Sequence, residues 1–266
     1  MCVYTNDETG DRMHQPTLRV LRILELLANG SGYQRLSDIS RELEIPKSTL
    51  MPILQTLCEQ QYLNQDSSGR YTVGTALFSL GASFSGCFPI MDFVRQELES
   101  LVDKLGETCY CGVLDGADVL YLEKAESPQP LRMLTGVGKR LPAYATALGK
   151  SLLIQKSEEE LREIFSAGMP PVTKQTVTDV SRLAAQLHQA QEVGYTWESE
   201  ESTELIRCYA VPVYKHDCPV MAISVAIPLF RFREDMEEGI VAALKLHGEH
   251  ISAMVEKTDA HFGSQF

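Results

Sequence analysis

Several groups of residues have types and spacings that could support chemistry, and the most prominent is Ala147-Leu148-Gly149-Lys150-Ser151. It resembles the end of a phosphate-binding loop, G-x-x-x-x-G-K-[ST], whose first glycine lets backbone amides wrap a triphosphate. In this chain the position of that first glycine is occupied by Tyr144. The sequence therefore does not predict a nucleotide site here.

Other catalytic patterns are also incomplete. The stretch Gly81–Gly86 does not complete the serine-hydrolase pattern G-x-S-x-G, and Gly136-Val137-Gly138 is an isolated G-x-G that is more typical of a turn. A run of acidic residues follows Trp197, namely Glu198, Glu200, Glu201 and Glu204. Such a run is typical of a solvated loop, although a single carboxylate from it could line a pocket. We predict no catalytic residue and no cofactor.

The cysteines and histidines give no specific metal motif. The chain has 7 cysteines, without a C-x-x-C pair or a signal peptide, which is typical of reduced cytoplasmic thiols. A metal set from Cys109, Cys111, Cys208, His216 and Cys218 is conceivable, but it lacks the short spacings of zinc sites. Buried apolar thiols are the favoured interpretation. The 6 histidines are scattered and expected at the surface, so no metal site is predicted.

Length and composition indicate how many domains could position these residues and where the charge lies. A chain of 266 residues with 44% hydrophobic content can bury two cores. The formal net charge is −12, yet basic and acidic residues balance between Pro16 and Thr75, so the acidity lies mostly in the C-terminal part and would repel DNA there. No apolar run is long enough for a membrane span, and residues 1–14 have the composition of a disordered tail.

The N-terminal part has the pattern of a helix-turn-helix. Thr17–Ala28 is predicted to be a helix with Thr17 as its N-cap, and Asp38–Leu43 a second helix capped by Ser37. A third helix is predicted to start at Pro46. It places an apolar stripe toward the core, formed by Leu50, Ile53, Leu54 and Leu57. The stretch Leu36–Leu63 therefore predicts a DNA-binding helix pair.

A hairpin is predicted directly after the third helix, with β-prone runs Tyr62–Asn64 and Arg70–Val73 around the turn Asp66–Gly69. This arrangement is a winged helix-turn-helix, in which Arg70 could reach a phosphate or the minor groove; a solvated arginine is an equally good interpretation. The residues predicted to contact DNA are Arg41, Lys47, Ser48, Thr49, Met51, Gln55 and Arg70.

The rest of the chain predicts an α+β sheet domain. Gly74–Gly86 is expected to be mixed and flexible, and Pro89–Leu105 to be an amphipathic helix that connects two domains and could form a dimer surface. Strands and helices then alternate. We predict strands at Thr108–Leu114, Asp118–Glu123, Leu131–Thr135, Tyr209–Tyr214 and Val220–Ile227, with helices at Ala143–Ile154, Leu183–Val193 and Met236–Val255.

In this order, several segments together resemble the IclR-type transcription regulators. These segments are IPKSTLMPILQTL, YLNQDSSGRYTVGTALFSLG, GETCYCGVLDGADVLYLEKAESPQPLRM, GVGKRLPAYATALGKSLL, GYTWESEE, IRCYAVPV and MAISVAIP. The resemblance implies an α+β fold: an N-terminal winged helix-turn-helix (residues 15–80), a linker helix region (81–105) and a C-terminal GAF-like α/β effector-binding domain (106–266). It also implies homodimers or dimers of dimers that respond to a small organic acid.

The resemblance further implies an effector pocket. It would be lined by Thr146, Ala147, Leu148, Gly149, Glu198, Cys208, Ser224 and Ala226. Two departures from the family pattern stand out. Met51-Pro52 replaces a polar or basic pair in the third helix, and Pro52 removes one helical hydrogen bond and should bend or loosen that helix. Ala226 replaces a frequent serine, so we expect a different effector, such as a sugar acid or hydroxy acid.

Two functions follow from these patterns. The favoured one is a cytoplasmic, sequence-specific transcriptional regulator, more typically a repressor, that binds a pseudo-palindromic double-stranded operator and is not an enzyme. The alternative is an enzyme or storage domain for a small acid, with the N-terminal module used as a protein–protein adaptor. The lack of nucleophile and cofactor motifs argues against the alternative, and turnover in a screen of sugar and keto acids would support it.

Overall fold

The computed structural model describes residues 13–29, 33–86, 90–130 and 135–258. It divides into two compact units, Met1–Cys87 and Phe88–Phe266. Most of the predicted tail and most of the predicted strand Leu131–Thr135 lie outside the described residues. No helix in the described ranges is long and apolar enough to cross a membrane.

The first unit is a three-helix bundle with a small sheet and an additional helix. Its elements are α1 (Gln15–Asn29), β1 (Gln34–Arg35), α2 (Leu36–Glu42), α3 (Lys47–Glu59), β2 (Leu63–Gln65), β3 (Arg70–Val73) and α4 (Thr75–Gly86). The strands are antiparallel in the order β1-β3-β2. The predicted stripe of α3 does face the core, since Leu50, Leu54 and Leu57 are buried and Ile53 is half-buried.

The helix starts differ from the predicted ones. Thr17 lies inside α1, which begins two residues earlier, and Ser37 lies inside α2. The cap of α2 comes from Asp38 instead, whose carboxylate accepts the Arg35 backbone N–H at 3.3 Å. Pro46 precedes α3, and its carbonyl accepts the Leu50 N–H at 3.0 Å. The helix then continues unbroken through Pro52.

The predicted hairpin is present, and Asp66 holds its turn. The Asp66 carboxylate accepts the backbone N–H groups of Ser68 and Arg70, both at 2.9 Å, and the Arg70 Nε at 2.8 Å. Gly69 has a φ of 74°, a backbone conformation that glycine adopts without strain. The Arg70 guanidinium is therefore already part of the wing's own structure.

The prediction that Gly74–Gly86 is flexible is wrong, because Thr75–Gly86 forms α4. The start of this helix is fixed by the end of α3: the Ala76 N–H donates to the Gln61 carbonyl at 3.0 Å. A Cβ on Gly74 would lie 2.2 Å from the same oxygen, so only glycine fits. The helix is specified by a contact outside its own sequence, and its local composition gave no signal for it.

The second unit is built around one antiparallel sheet. Its helices are α5 (Ile90–Leu105), α6 (Ala147–Leu152), α7 (Glu158–Ile164), α8 (Val180–Val193) and α9 (Glu237–Val255). Its strands are β4 (Thr108–Asp115), β5 (Asp118–Ala125), β6 (Arg140–Pro142), β7 (Thr196–Ser199), β8 (Ile206–Lys215) and β9 (Cys218–Pro228). Their order is β6-β5-β4-β9-β8-β7. The predicted helix Ala143–Ile154 is instead a 3-10 turn, Ala143–Ala145, followed by α6.

The two faces of this sheet pack against different helices. Because side chains alternate along a strand, Tyr209, Val211, Ile223 and Val225 join the core formed with α5 and α9. The neighbouring residues in sequence, including Cys208, Ala210 and Ala226, join the core under α6 and α8. The candidate site lies on this second face.

Candidate functional site

Strand register brings the predicted effector residues of the sheet together in two adjacent rows. One row runs Glu198, Cys208, Ala226 and Thr108 across β7, β8, β9 and β4, and the next runs Thr196, Ala210, Ser224 and Tyr110. Members of a row on neighbouring strands are about 5 Å apart. Residues separated by 100 positions of sequence therefore form one polar patch on a buried face.

Glu198 is the acid of this patch and is only 1% exposed. Its carboxylate accepts the Glu201 backbone N–H at 2.7 Å and the Ser202 hydroxyl at 3.2 Å. Burial raises the pKa of the Glu198 carboxyl despite these hydrogen bonds, because desolvation disfavours the charged form. The group is thus better suited than an exposed glutamate to act as a hydrogen-bond donor.

Cys208 lies opposite Glu198 and is also buried. Burial, followed by the nearby Glu198 charge, raises the pKa of this thiol well above its ordinary value. The neutral S–H is a weak donor and a poor nucleophile. Its chemistry therefore fits contact with a ligand and does not fit covalent catalysis.

The segment Thr146–Gly149 covers the patch, and its hydrogen bonds hold it there. The Thr146 hydroxyl caps α6 by accepting the Gly149 N–H at 3.0 Å. From the sheet, the Thr196 hydroxyl donates to the Ala147 carbonyl at 2.7 Å. A Cβ on Gly149 would lie 2.1 Å from the Ala143 carbonyl oxygen, so the close approach of these two turns requires glycine.

Lys150 and Ser151, the last residues of the stretch that resembles a phosphate-binding loop, have partners within the protein. Lys150 Nζ donates to Glu201 Oε1 at 2.5 Å, and the two side chains are 2% and 8% exposed. The Ser151 and Thr196 hydroxyl oxygens are 2.6 Å apart. The expectation of a solvated acidic loop is therefore wrong for Glu201 as well as for Glu198. The pair Lys150–Glu201 spans 51 positions, and no local pattern reveals it.

Two tyrosines that the sequence analysis did not single out complete the wall of the patch. Tyr110 lies opposite Ser224 in the sheet, and its ring packs edge-on against Tyr121 with centroids 5.4 Å apart. Burial raises the pKa of both phenols. The sequence carried no signal for Tyr110, because its place beside Ser224 follows from the pairing of β4 with β9.

The candidate DNA-contacting residues lie on the outer surface of the first unit. Lys47, Ser48, Met51 and Gln55 are exposed and Thr49 is half-buried, so α3 presents one continuous outer face. Within this face Gln55 Nε2 donates to Glu59 Oε1 at 3.0 Å. Arg41 projects from α2 with 81% of its side chain exposed, 3.1 Å from Asp38. This geometry is compatible with the predicted outward face of α3. The side chains of Gln55 and Arg70, however, are already hydrogen-bonded to Glu59 and Asp66.

The conceivable cysteine metal site does not form. Cys109 and Cys111 belong to the core under α5 and α9, whereas Cys208 belongs to the core on the opposite face of the sheet. Within the described ranges, the group of potential ligands that does converge is Glu97, His247 and His250. That group lies on α5 and α9, away from the polar patch, which we also call the effector patch.

Comparison with known proteins matches both units. Residues 17–67 match the IclR helix-turn-helix domain, and residues 86–253 match the family described as Bacterial transcriptional regulator IclR C-terminal. The chain belongs to the IclR family. The predicted family resemblance and α+β fold class are thereby confirmed, and the protein is an HTH-type transcriptional regulator with a C-terminal effector-binding domain.

Individual IclR relatives align over most of their length. The HTH-type transcriptional regulator XynR of Escherichia coli (strain K12) is 31% identical over 245 residues, covering 88% of this chain and 97% of XynR. The HTH-type transcriptional repressor AllR of the same strain is 32% identical over 220 residues, covering 82% and 81%. An IclR homolog from Microbacterium hydrocarbonoxydans, solved in complex with 4-hydroxybenzoate, matches with a TM-score of 0.80 and 25% identity, covering 91% and 100%.

Proposed function

We propose that this IclR-family protein is a cytoplasmic repressor that binds a pseudo-palindromic operator as a homodimer and is regulated by a small hydroxy acid. In this proposal residues 15–80 bind DNA, 81–105 connect the domains and 106–266 bind the effector. The observation that carries the effector part is the pair of buried rows with Glu198, Cys208 and Ser224 beneath the Thr146–Gly149 segment. Repression is supported by the similarity to AllR, which is named a repressor.

The chemistry of the patch supports a hydroxy acid. The Glu198 carboxyl, whose pKa is raised by burial, and the Ser224 hydroxyl can hydrogen-bond an effector's hydroxyl or carboxylate, whereas Ala226 offers no polar group. Tyr110 and Tyr121 provide an aromatic wall. The M. hydrocarbonoxydans homolog binds 4-hydroxybenzoate, an acid of this class.

A thermal-shift screen of the full chain tests the effector proposal. Pairs of acids that differ only in a hydroxyl, such as 4-hydroxybenzoate and benzoate, should be included with sugar acids. At about one hundred times the dissociation constant a true effector stabilises the folded state by about 2.7 kcal/mol. The hydroxylated member should give the larger shift, and Ser224→Ala should reduce it. No shift from any hydroxy acid would contradict this part of the proposal.

A homodimer is supported by α4. This helix contains no charged residue, and Phe78 is 80% and Leu80 55% exposed. Large apolar side chains exposed close together often mark a surface that a partner covers. A second copy of the chain would cover α4 and pair two α3 helices. A two-fold dimer then reads two related half-sites.

DNA binding is tested by gel shift with the protein's own upstream region at several salt concentrations. Lys47→Ala should weaken binding to all sequences alike and reduce the salt slope by about 1, because a phosphate contact is lost. Gln55→Ala should relax operator preference by about 1–3 kcal/mol, because a base contact is lost. No binding at low salt would contradict the proposal, and unchanged preference in Gln55→Ala would contradict the role of that residue.

The proposal includes no catalytic activity. The Cys208 thiol is buried and its pKa is raised, Lys150 is paired with Glu201, and Ser151 is hydrogen-bonded to Thr196. None of these three groups is therefore an activated nucleophile. Incubation with the acids that give a thermal shift, followed by product analysis, is the measurement. Turnover of any of them would favour the enzyme alternative.

A further inference from the structure

A group of three potential metal ligands lies between α5 and α9, on the sheet face opposite the effector patch. Glu97 Oε2 of α5 is 2.6 Å from His247 Nδ1 and 3.2 Å from His250 Nδ1, both on α9. The three ligand atoms all lie within 4.8 Å of one another. The expectation that the histidines lie at the surface is wrong for His247, which is buried, whereas His250 is exposed as expected.

The positions of these side chains are set by the packing of the helices. His247 and His250 are three residues apart, so they project from the same side of α9. A Cβ on Gly248 would lie 2.9 Å from the Val211 side chain, which shows how closely α9 rests on β8 and limits its rotation. The side chain of His247 is 9% exposed, that of Glu97 16% and that of His250 50%. The group is thus held from within and open to solvent on one side.

The ligand set is one that first-row transition ions prefer. Two imidazole nitrogens and one carboxylate oxygen, with a remaining position for water, form a common zinc site. Zinc ligands lie about 2.0–2.2 Å from the ion, which in tetrahedral geometry places them roughly 3.3–3.5 Å apart. The Glu97–His250 separation is close to this value. The Glu97–His247 separation must open by about 1 Å or less, which is within the reach of the flexible glutamate side chain.

We propose that Glu97, His247 and His250 bind one divalent first-row transition ion, of the zinc class, that links α5 to α9. On binding, each imidazole coordinates the ion through Nδ1 as the neutral tautomer with its proton on Nε2, and any proton held at Nδ1 is released to solvent. This inference goes beyond the proposed function, since it requires neither DNA nor an effector.

Cobalt titration of the full, tag-free chain with reduced cysteines tests the proposal, because tetrahedral Co²⁺ has visible absorption bands that report the ligand set. Zn²⁺ should then displace Co²⁺. We expect one ion per chain, and at least tenfold weaker binding in His250→Ala, which removes one ligand from a half-exposed position. Glu97→Gln should weaken binding in the same way and provides a second variant if His250→Ala is unstable.

The matched control is His188→Ala on α8, where an exposed histidine lies 3.9 Å from Glu192. This variant should bind Co²⁺ as the unaltered chain does. Zn²⁺ should raise the unfolding temperature of the unaltered chain and of His188→Ala, but not that of His250→Ala. Absence of the cobalt bands, or equal affinity in His250→Ala and the unaltered chain, would overturn the proposal and indicate a hydrogen-bonded cluster only or binding by cysteines elsewhere.

Discussion

Glu198 is an acid whose surroundings oppose its charge, and this makes folding sensitive to pH. Burial raises the pKa of this carboxyl above its ordinary value of 4.5. As the pH rises through this window, the unfolded chain loses its proton before the folded chain does, so the free energy of unfolding falls. Below the unfolded pKa both states are protonated and the penalty is absent.

The first prediction compares the unaltered chain with Glu198→Gln, which has no proton to lose. The unaltered chain should become more stable relative to Glu198→Gln as the pH is lowered from neutral toward the ordinary carboxyl pKa of 4.5, the direction set by the raised pKa. Urea unfolding of both proteins at several pH values measures this difference. A difference that stays constant over the range would contradict the raised pKa.

The buried ion pair of Lys150 leads to a prediction about folding stability. Lys150→Ala leaves the Glu201 carboxylate buried without its cation, and removal of one partner from a buried ion pair costs about 3–5 kcal/mol. Chemical denaturation of the second unit measures the loss. Lys156→Ala is the matched control, since its ion pair with Glu160 is 40% and 45% exposed and contributes about 0–1 kcal/mol. Equal losses in the two variants would show that burial does not decide the effect.

The sequence could predict those features of the candidate site that depend on motifs or on neighbouring residues. It could not predict contacts between residues far apart in the sequence. Glu198, Cys208 and Ser224 were found through family motifs, and strand alternation then places them on one face. The Lys150–Glu201 pair could not be found, because its partners meet only when α6 lies on the sheet. The same limit applies to His247, whose partner Glu97 is 150 positions away.

At the scale of elements, α6 shows how one glycine sets a helix position. In Gly149→Ala the new methyl group would meet the backbone of Ala143, which cannot rotate away, so we expect a loss of about 1–3 kcal/mol or more and a weaker effector shift. Gly239→Ala on α9 is the control: nothing lies within 4 Å of its Cβ, and it should stabilise by about 0.5–1 kcal/mol. Thermal unfolding of both variants tests the pair, and stabilisation by Gly149→Ala would contradict the close approach.

Long helices with their own apolar stripe were predicted well, whereas the short helix α7 and elements specified from outside were not. α5 and α9 carry apolar stripes that fix them locally, and the wing carries its own turn residues. By contrast α4 depends on the Gln61 carbonyl, and the start of α2 depends on Asp38 instead of the expected Ser37. A hydrogen bond from a neighbouring element is invisible to a local pattern, so helix starts are where prediction fails most.

For the whole molecule, the prediction concerns assembly. Phe78→Ser should weaken the dimer by roughly a hundredfold or more, because burial of a phenylalanine side chain contributes about 1.5–3 kcal/mol and a two-fold dimer loses two of them. The control is Phe230→Ser in the second unit, since Phe230 is likewise exposed, at 67%; this variant should leave the dimer unchanged. Analytical ultracentrifugation over a range of concentrations gives the dissociation constants. A dimer that is weakened only by Phe230→Ser would place the interface in the second unit.

The charge distribution acts at the same scale. Basic and acidic residues balance between Pro16 and Thr75, and the chain as a whole has a net charge of −12. The second unit, which carries most of the acidic excess, should therefore repel nucleic acid, whereas exposed basic residues of the first unit, such as Arg41 and Lys47, should attract it. This asymmetry favours one orientation on the duplex before any base is contacted.

The alternation along β8 and β9 separates two tasks onto alternate residues of the same strands. Cys208, Ser224 and Ala226 face the effector patch, while Tyr209, Ile223 and Val225 face α5 and α9. A substitution at one of the first three leaves the side chains that pack against α5 and α9 unchanged. Under the proposed function, single substitutions on β8 and β9 can therefore change the effector that is recognised while the packing against α5 and α9 is kept.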